Sequence, residues 1–504
     1  MRNFHCTTRN DLRWPFFCSA LLNLVIIPSG IKAQTPVAPV PQDRIQSLTE
    51  AIDRVEAQLL QTQHELAGLK EQLQALRGTA GETAPLSAQP SGAAELAEAV
   101  ANIRESQAMH ESQIATLAQA KVETASKYPL KLSGMILMTG FVNTHRVDAA
   151  QTPAVALAGS GSTGATLQQT VLGIDANGPH VLGANSRADL RFDFAAGGVA
   201  SGNTSGYASP LIRLRTAHAS LDWTRTRAYF SFDHSLLNPD SPTSIAAVAL
   251  PPLSWSGNLW TWNPRFAVSQ ELLPIHSGAV RFQAALSDVA DPPPLFAQSA
   301  TSTYIPPSSG ELSRWPGVEG RLAYETGDTE SGLRIGVSGY FASHRTSSTS
   351  TKYESWAGAA DFRVPFLRFS QISGNAYYGA GLGGLGGGTY KNSVLRNVAG
   401  EQYFKVLDDM GGWLQWKQKA GERLEFNEAF GIDNVPAHQL RPFAISTPIS
   451  YYNLARNRTF TGNVIYSPSA YLLFSLEYRR IASSYVTAST QSSDVINIVA
   501  GYKF

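Results

Sequence analysis

The chain has 504 residues, 43% of them hydrophobic, 10% aromatic and 16% charged, with a formal net charge of +1. Soluble proteins carry about 25% charged residues, so the charge content is low, and a near-neutral balance without a dense Lys/Arg run excludes a nucleic-acid binder. No apolar stretch beyond the N-terminus reaches the ~20 residues of a membrane helix, which leaves alternation along strands as the way to hide apolar side chains.

Residues 1–33 read as a secretory signal: Arg2, Arg9 and Arg13, the apolar run Phe16 to Ile27, then a segment ending at Ala33. The only cysteines, Cys6 and Cys18, lie inside it, so a processed chain has no disulfide and no thiolate chemistry. Residues 34–42 form a Pro-rich linker. Over 43–78, Ile45, Ile52, Leu59, Leu66 and Leu73 recur every seven residues, interleaved with Leu48, Val55, Thr62, Leu69 and Leu76. This seam predicts a self-associating coiled coil roughly 50 Å long. Residues 79–94 are a second linker, and 95–127 a weaker helical segment with Leu96, Val100, Ile103, Ile114 and Leu117 on its seam.

From 128 to 504 the period changes to two. Ala188, Leu190, Phe192 and Phe194 oppose Arg187, Asp189, Arg191 and Asp193; Leu472, Phe474, Leu476 and Tyr478 oppose Ser475, Glu477 and Arg479. About sixteen segments of roughly ten residues follow this pattern, the length that crosses a bilayer when tilted. The predicted fold is an all-β transmembrane barrel of about 16 antiparallel strands, preceded by an α-helical coiled coil. The closing strand Val495–Phe504 should pair with the first, Lys131–Asn143.

An arginine turned toward lipid at the midplane costs about 2–4 kcal/mol, so the charged faces should line a water-filled lumen. The expected pore-lining residues are Arg187, Asp189, Arg191, Asp193, Arg213, Arg215, Arg281, Arg321, Arg334, Glu477 and Arg479, with Glu325 and Glu425 on the same faces. Rings of basic side chains favour anions; the alternative is that these residues pair across strands and merely hydrate the wall.

Val147–Ala165 and Arg479–Ser493 read as exposed loops. Two long insertions stand out, Leu236–Pro264 with Trp255, Trp260 and Trp262, and Ala290–Pro316 with its proline clusters. The first is expected to fold inward and narrow the channel. Gly379-Ala-Gly-Leu-Gly-Gly384 matches G-x-G-x-x-G, but no amphipathic helix follows, so it reads as a mobile glycine loop rather than a dinucleotide site. His218 and Ser220, two residues apart, are expected to face lipid on the parity of Ile212 and Leu214. No metal spacing is present among the histidines.

The signal, heptads, alternating strands and terminal Phe504 after Tyr502 together resemble a bacterial outer-membrane porin. The succession of Ile45–Leu76 and Lys131–Asn143, with Arg213-Leu-Arg-Thr-Ala, is similar to the DcaP-like porins. That resemblance implies a homotrimer in outer-membrane lipid with its coiled coil in the periplasm. It implies passive diffusion of small hydrophilic, anionic solutes, and recognition of Phe504 by the barrel-insertion machinery. No cofactor, metal or catalytic residue is implied. Two other functions stay open: a structural protein anchoring the membrane to the cell wall through its coiled coil, and an outer-membrane phospholipase using His218 and Ser220, which such enzymes resemble.

Overall fold

The computed structural model describes residues 130–504, except 196–210, 276, 292–306, 328–331, 347–349, 368 and 399–400. The expected signal segment, both linkers and both helical segments lie outside the described residues.

Nineteen strands are present among them. The first run is β1 (Leu130–Val147), β2 (Ala156–Thr166), β3 (Val171–Val181), β4 (Ala184–Asp193), β5 (Arg213–Asp222) and β6 (Thr226–Asp233). Next come β7 (Asn263–Ile275), β8 (Gly278–Ser287), β9 (Gly317–Thr326), β10 (Arg334–Arg345), β11 (Lys352–Leu367) and β12 (Ser370–Ala380). A separate hairpin, β13 (Ser393–Val398) and β14 (Glu401–Val406), precedes β15 (Asp408–Ala420), β16 (Leu424–Asn434), β17 (Leu454–Tyr466), β18 (Leu472–Tyr485) and β19 (Gln491–Lys503).

All of these except the hairpin belong to one 17-stranded sheet, antiparallel throughout. Two of its strands share a column. β2 pairs with the later half of β1 (Thr139↔Thr166) and β3 with the earlier half (Met135↔Val171), so β2 and β3 form one interrupted stave. At the interruption Leu137 N–H donates to the Thr170 hydroxyl at 3.0 Å, a side chain taking the place of a ladder carbonyl. The sheet thus closes into a 16-stranded barrel. The seam is β1 against β19, from Met135↔Lys503 to Asn143↔Val495, as the sequence predicts.

Closure leaves one face of every stave outside. On β19, Ile498 is 65% exposed while Val495 is fully buried. Phe341 and Trp356, directly paired across β10 and β11, are likewise exposed, with Tyr340, Ala342 and Ala357 buried behind them. A barrel with an outward apolar face on all sides buries that face only in lipid. Aromatic rings mark both edges of the band: Tyr471, Tyr502 and Phe504 stack at one end, and Trp356 meets Tyr378 edge-on at the other.

The long connections share one end of the barrel. One end has short turns at 182–183, 223–225, 276–277, 368–369 and 421–423; the other carries the long segments 194–212, 234–262, 288–316, 381–407 and 435–453. Two expected loops are corrected. Most of Val147–Ala165 is strand β2, whose sequence ALAGSGSTGAT has no apolar alternation to announce it. Arg479–Ser493 is mostly strand as well, leaving only 486–490 as a turn.

Candidate functional site: the lumen and its inward loop

The longest fully described connection, 234–262, does not extend beyond the barrel. Leu236, Leu237, Trp255 and Leu259 are buried, and the segment runs across the lumen fastened to the wall along its length. Glu319 on β9 accepts from Ser235 Oγ (2.9 Å) and Leu236 N (2.6 Å). Asn375 on β12 donates to Leu237 O, and Trp413 on β15 donates its indole N–H to Asn238 Oδ1 at 3.0 Å. Asp240 is clamped between Arg334 and Arg363 from neighbouring strands. Ser244 donates to Glu477 on β18. Gln169, at the β2–β3 interruption, accepts from both Val248 N and Ala249 N. Asn457 on β17 donates to Trp255 O and Ser256 Oγ. Because backbone groups inside a barrel must be satisfied by protein or water, these wall amides and carboxylates are what allow an irregular loop to lie there.

A second insertion meets it. The glycine run from Gly379 is buried in two single turns of 3₁₀ helix, not exposed as a loose loop. Gly384 O accepts from Thr261 Oγ1 at 2.7 Å, and a Cβ at Gly386 would meet the Trp260 ring and backbone. Tyr390 stacks on Trp255 at 3.8 Å, and both hold positive φ, a costly backbone for non-glycine residues that the packing fixes in place. Below them Lys391 Nζ donates to Thr389 O, Thr389 Oγ1, Tyr451 O and Leu454 O, and burial pushes its ammonium down to about 7. Burial also raises the Asp148 carboxyl, although Ala154 N, Val155 N and the Tyr390 hydroxyl donate to it.

Most of the arginines named from the sequence have carboxylate partners. Arg187 lies 3.8 Å from Asp222, and Arg191 2.6 Å from Asp175 and 3.9 Å from Asp189. Arg213 makes a bidentate pair with Asp193 (3.0 and 2.7 Å) and also donates to Ala249 O of the inward loop. Arg281 is 3.4 Å from Glu325. Arg321 makes a bidentate pair with Asp361, Arg334 sits between Asp240 and Asp361, and Arg479 donates to Glu477 at 2.7 Å. Arg215 differs: its guanidinium lies over the Trp262 ring at 5.5 Å, beside Arg213 at 5.2 Å, and no carboxylate is within ion-pair distance among the described residues. The sequence carries no signal for the Trp262 platform or the Asp240 clamp; Asp240 sits in the Pro-Asp-Ser-Pro segment 239–242, a composition that reads as an ordinary turn.

The expectation that His218 and Ser220 face lipid is overturned, for a local reason. β4 and β5 pair as Phe192↔Leu214 and then Arg191↔Thr216, so Arg215 is an extra residue, a bulge that flips the parity of everything after it. Leu214 points out, but Ala217 and Ala219 take the outward positions beyond it and His218 and Ser220 turn into the lumen. His218 Nδ1 meets Asp189 Oδ2 at 3.0 Å and Nε2 meets Asp233 Oδ2 at 2.9 Å. With both carboxylates ionised, this bracket is satisfied by a proton on each ring nitrogen. No nitrogen is then left to accept a proton from Ser220, whose hydroxyl donates instead to Asp222 at 3.3 Å, and the pair forms no esterase.

Around the bracket lies a cavity of about 570 Å³. Arg187, Arg227, Arg265, Arg281 and His218 line it, against Asp175, Asp189 and Asp233.

No protein-family model and no curated protein matches the sequence. Among solved structures the barrel is similar to the outer membrane channel DcaP of Acinetobacter baumannii, at 15% identity and a TM-score of 0.54, covering 75% of this chain and 99% of that one. An anion-selective porin from Comamonas acidovorans (11% identity, TM-score 0.43, 75% and 100% covered) and Salmonella typhi OmpF in complex with daunomycin (11%, 0.43, 74% and 97%) are less similar. The fold is therefore a porin-like 16-stranded antiparallel barrel.

Proposed function

We propose that the chain is an outer-membrane porin, not an enzyme, through which small hydrophilic solutes diffuse passively with a preference for anions. The observation that carries this reading is the inward loop 234–262, which is pinned to the wall rather than left outside and narrows the lumen beside charged walls. The supports for anion preference are local. The four arginines of the cavity are each paired with a carboxylate (Asp222, Glu319 or Glu325), so the surplus rests on Arg215, a cation with no carboxylate at ion-pair distance among the described residues. A low-dielectric wall focuses such an excess on passing solutes. The arginines already in bidentate pairs shape the wall and contribute less to selectivity. In this reading Phe504 lies at the periplasmic end, the long connections face outward from the cell, and the protein assembles as a homotrimer through the barrel wall and the segment 43–78.

The reversal potential of the purified protein in a planar bilayer under a tenfold KCl gradient tests the selectivity. A potential showing chloride to be the more permeant ion is expected; preference for potassium would contradict the arginine and His218 argument.

A further inference from the structure

Cations that face outward from the barrel strands are confined to one end. Arg345 on β10, Lys352 on β11, Arg456 and Arg458 on β17 and Arg480 on β18 share the parity of the exposed apolar side chains and lie just past them at the long-loop end. Among the described strand residues, the short-turn end has no Lys or Arg on that parity. Such a one-sided collar is matched to a one-sided membrane.

The collar includes a recess at β10–β11. Arg345 and Lys352 are directly paired, like charges side by side, which is unfavourable unless an anion lies between or above them. Arg345 Nε is buried with no partner. Neither residue, nor Lys405, has an ion pair among the described residues. The Ser343–Glu354 pair separates them from the Phe341–Trp356 pair at the top of the apolar band, so they stand about 13 Å further along the strand at ~3.3 Å per residue, the depth of lipid headgroups. The β13–β14 hairpin brings Phe404 and Lys405 alongside, and Trp315 stands 74% exposed at the edge. Together they enclose a cavity of about 770 Å³ with three cations against the single carboxylate of Glu354.

We propose that this cavity holds a phosphate group of a phosphorylated glycolipid in the outer leaflet, bound by Arg345, Lys352 and Lys405. An arginine fork and two ammonium groups suit a phosphate, and Trp315 and Phe404 suit the interfacial level where a sugar meets acyl chains. Arg345, Lys352 and Ser343 carry the outward parity while His344 and Tyr353 close the recess on its inner side, and that outward placement just past the apolar band favours a lipid over a free anion. The inference rests on the outer-membrane orientation given above, but not on conduction.

The test is a binding titration of the purified full-length protein in detergent with diphosphorylated lipid A, with the same lipid after removal of its phosphates, and with inorganic phosphate. Lipid A should bind at least about tenfold more tightly than the dephosphorylated lipid, and inorganic phosphate should not compete at millimolar concentration. Arg345→Ser with Lys352→Ser should weaken lipid A binding about tenfold or more and leave single-channel conductance unchanged; Lys405→Ser alone, on the hairpin outside the barrel, gives a smaller loss without touching a stave. Equal binding of the two lipids, or of wild type and variants, would overturn the proposal, as would tight binding of inorganic phosphate. A changed oligomer size in the double variant would assign the recess to a protein interface instead. Conductance is read separately, so a silent channel with normal lipid binding would defeat the porin reading alone.

Discussion

Gly257 of the inward loop lies flat on Gly412 of the wall. A Cβ on Gly257 would overlap Gly412 O and Ile432 O, and its φ of +96° is one that other residues adopt only under strain. Across the same contact a Cβ on Gly431 would overlap Ser256 O. Two glycines, Gly257 on the loop and Gly431 on the wall, thus let two backbones touch where a side chain would hold them apart. Gly257→Val or Gly431→Val should lift the loop from the wall at a cost of about 1–3 kcal/mol. The barrel should still fold and show heat-modifiable migration in gels, while the loop becomes open to protease and the single-channel conductance changes. An unchanged conductance in a folded variant would show that the loop does not narrow the path.

Asp240 is the loop's main ionic fastening. Replacing it by Ala leaves Arg334 and Arg363, both largely buried, without the carboxylate they share. Breaking one side of such a pair typically costs about 3–5 kcal/mol, which is enough to loosen the loop. Because the loop loses a negative charge beside two arginines, with Asp361 still near Arg334, Asp240→Ala should shift the reversal potential toward anion permeation, and Asp240→Asn should do so with less change in conductance.

The His218 bracket predicts the opposite shift. His218→Ala leaves Asp189 and Asp233 facing the cavity with no cation between them. Anion preference should fall about two- to threefold in dilute salt, and the difference should shrink at high ionic strength as screening takes over. His218→Lys should restore it.

Much of this could be seen in the chain beforehand, and the exceptions have physical reasons. Alternation such as Leu190 and Phe192 against Arg187 and Arg191 is imposed by lipid on one side and water on the other, so the barrel, its seam and the outer face were legible. The destination of Trp255, Trp260 and Trp262 was legible as packing, but the wall residues that receive their loop (Gly412, Gly431, Asn457) look like ordinary strand residues. The parity of His218 was not legible, because a bulge at Arg215 adds one residue without any glycine or proline to mark it. Strand β2 has no legible signature because its Ser, Gly and Ala side chains carry no polarity contrast.

Lys391 gives a pH dependence whose sign is fixed. Burial holds its folded-state value at about 7, below the ordinary 10.5. Between those values the unfolded chain binds the extra proton, so stability rises with pH across about 7 to 10.5 and the penalty is fully present below 7. The urea midpoint of the detergent-folded barrel should increase over this range. In Lys391→Met, which leaves the Tyr451 and Leu454 carbonyls without this donor and is less stable throughout, that part of the slope should vanish.

In the proposed function a water-filled path runs through a barrel narrowed from within. Single-channel recording of the full-length protein in planar bilayers tests it most directly. Discrete conductance steps that scale with KCl concentration are predicted; a protein that is folded and inserted yet gives no steps would contradict the account.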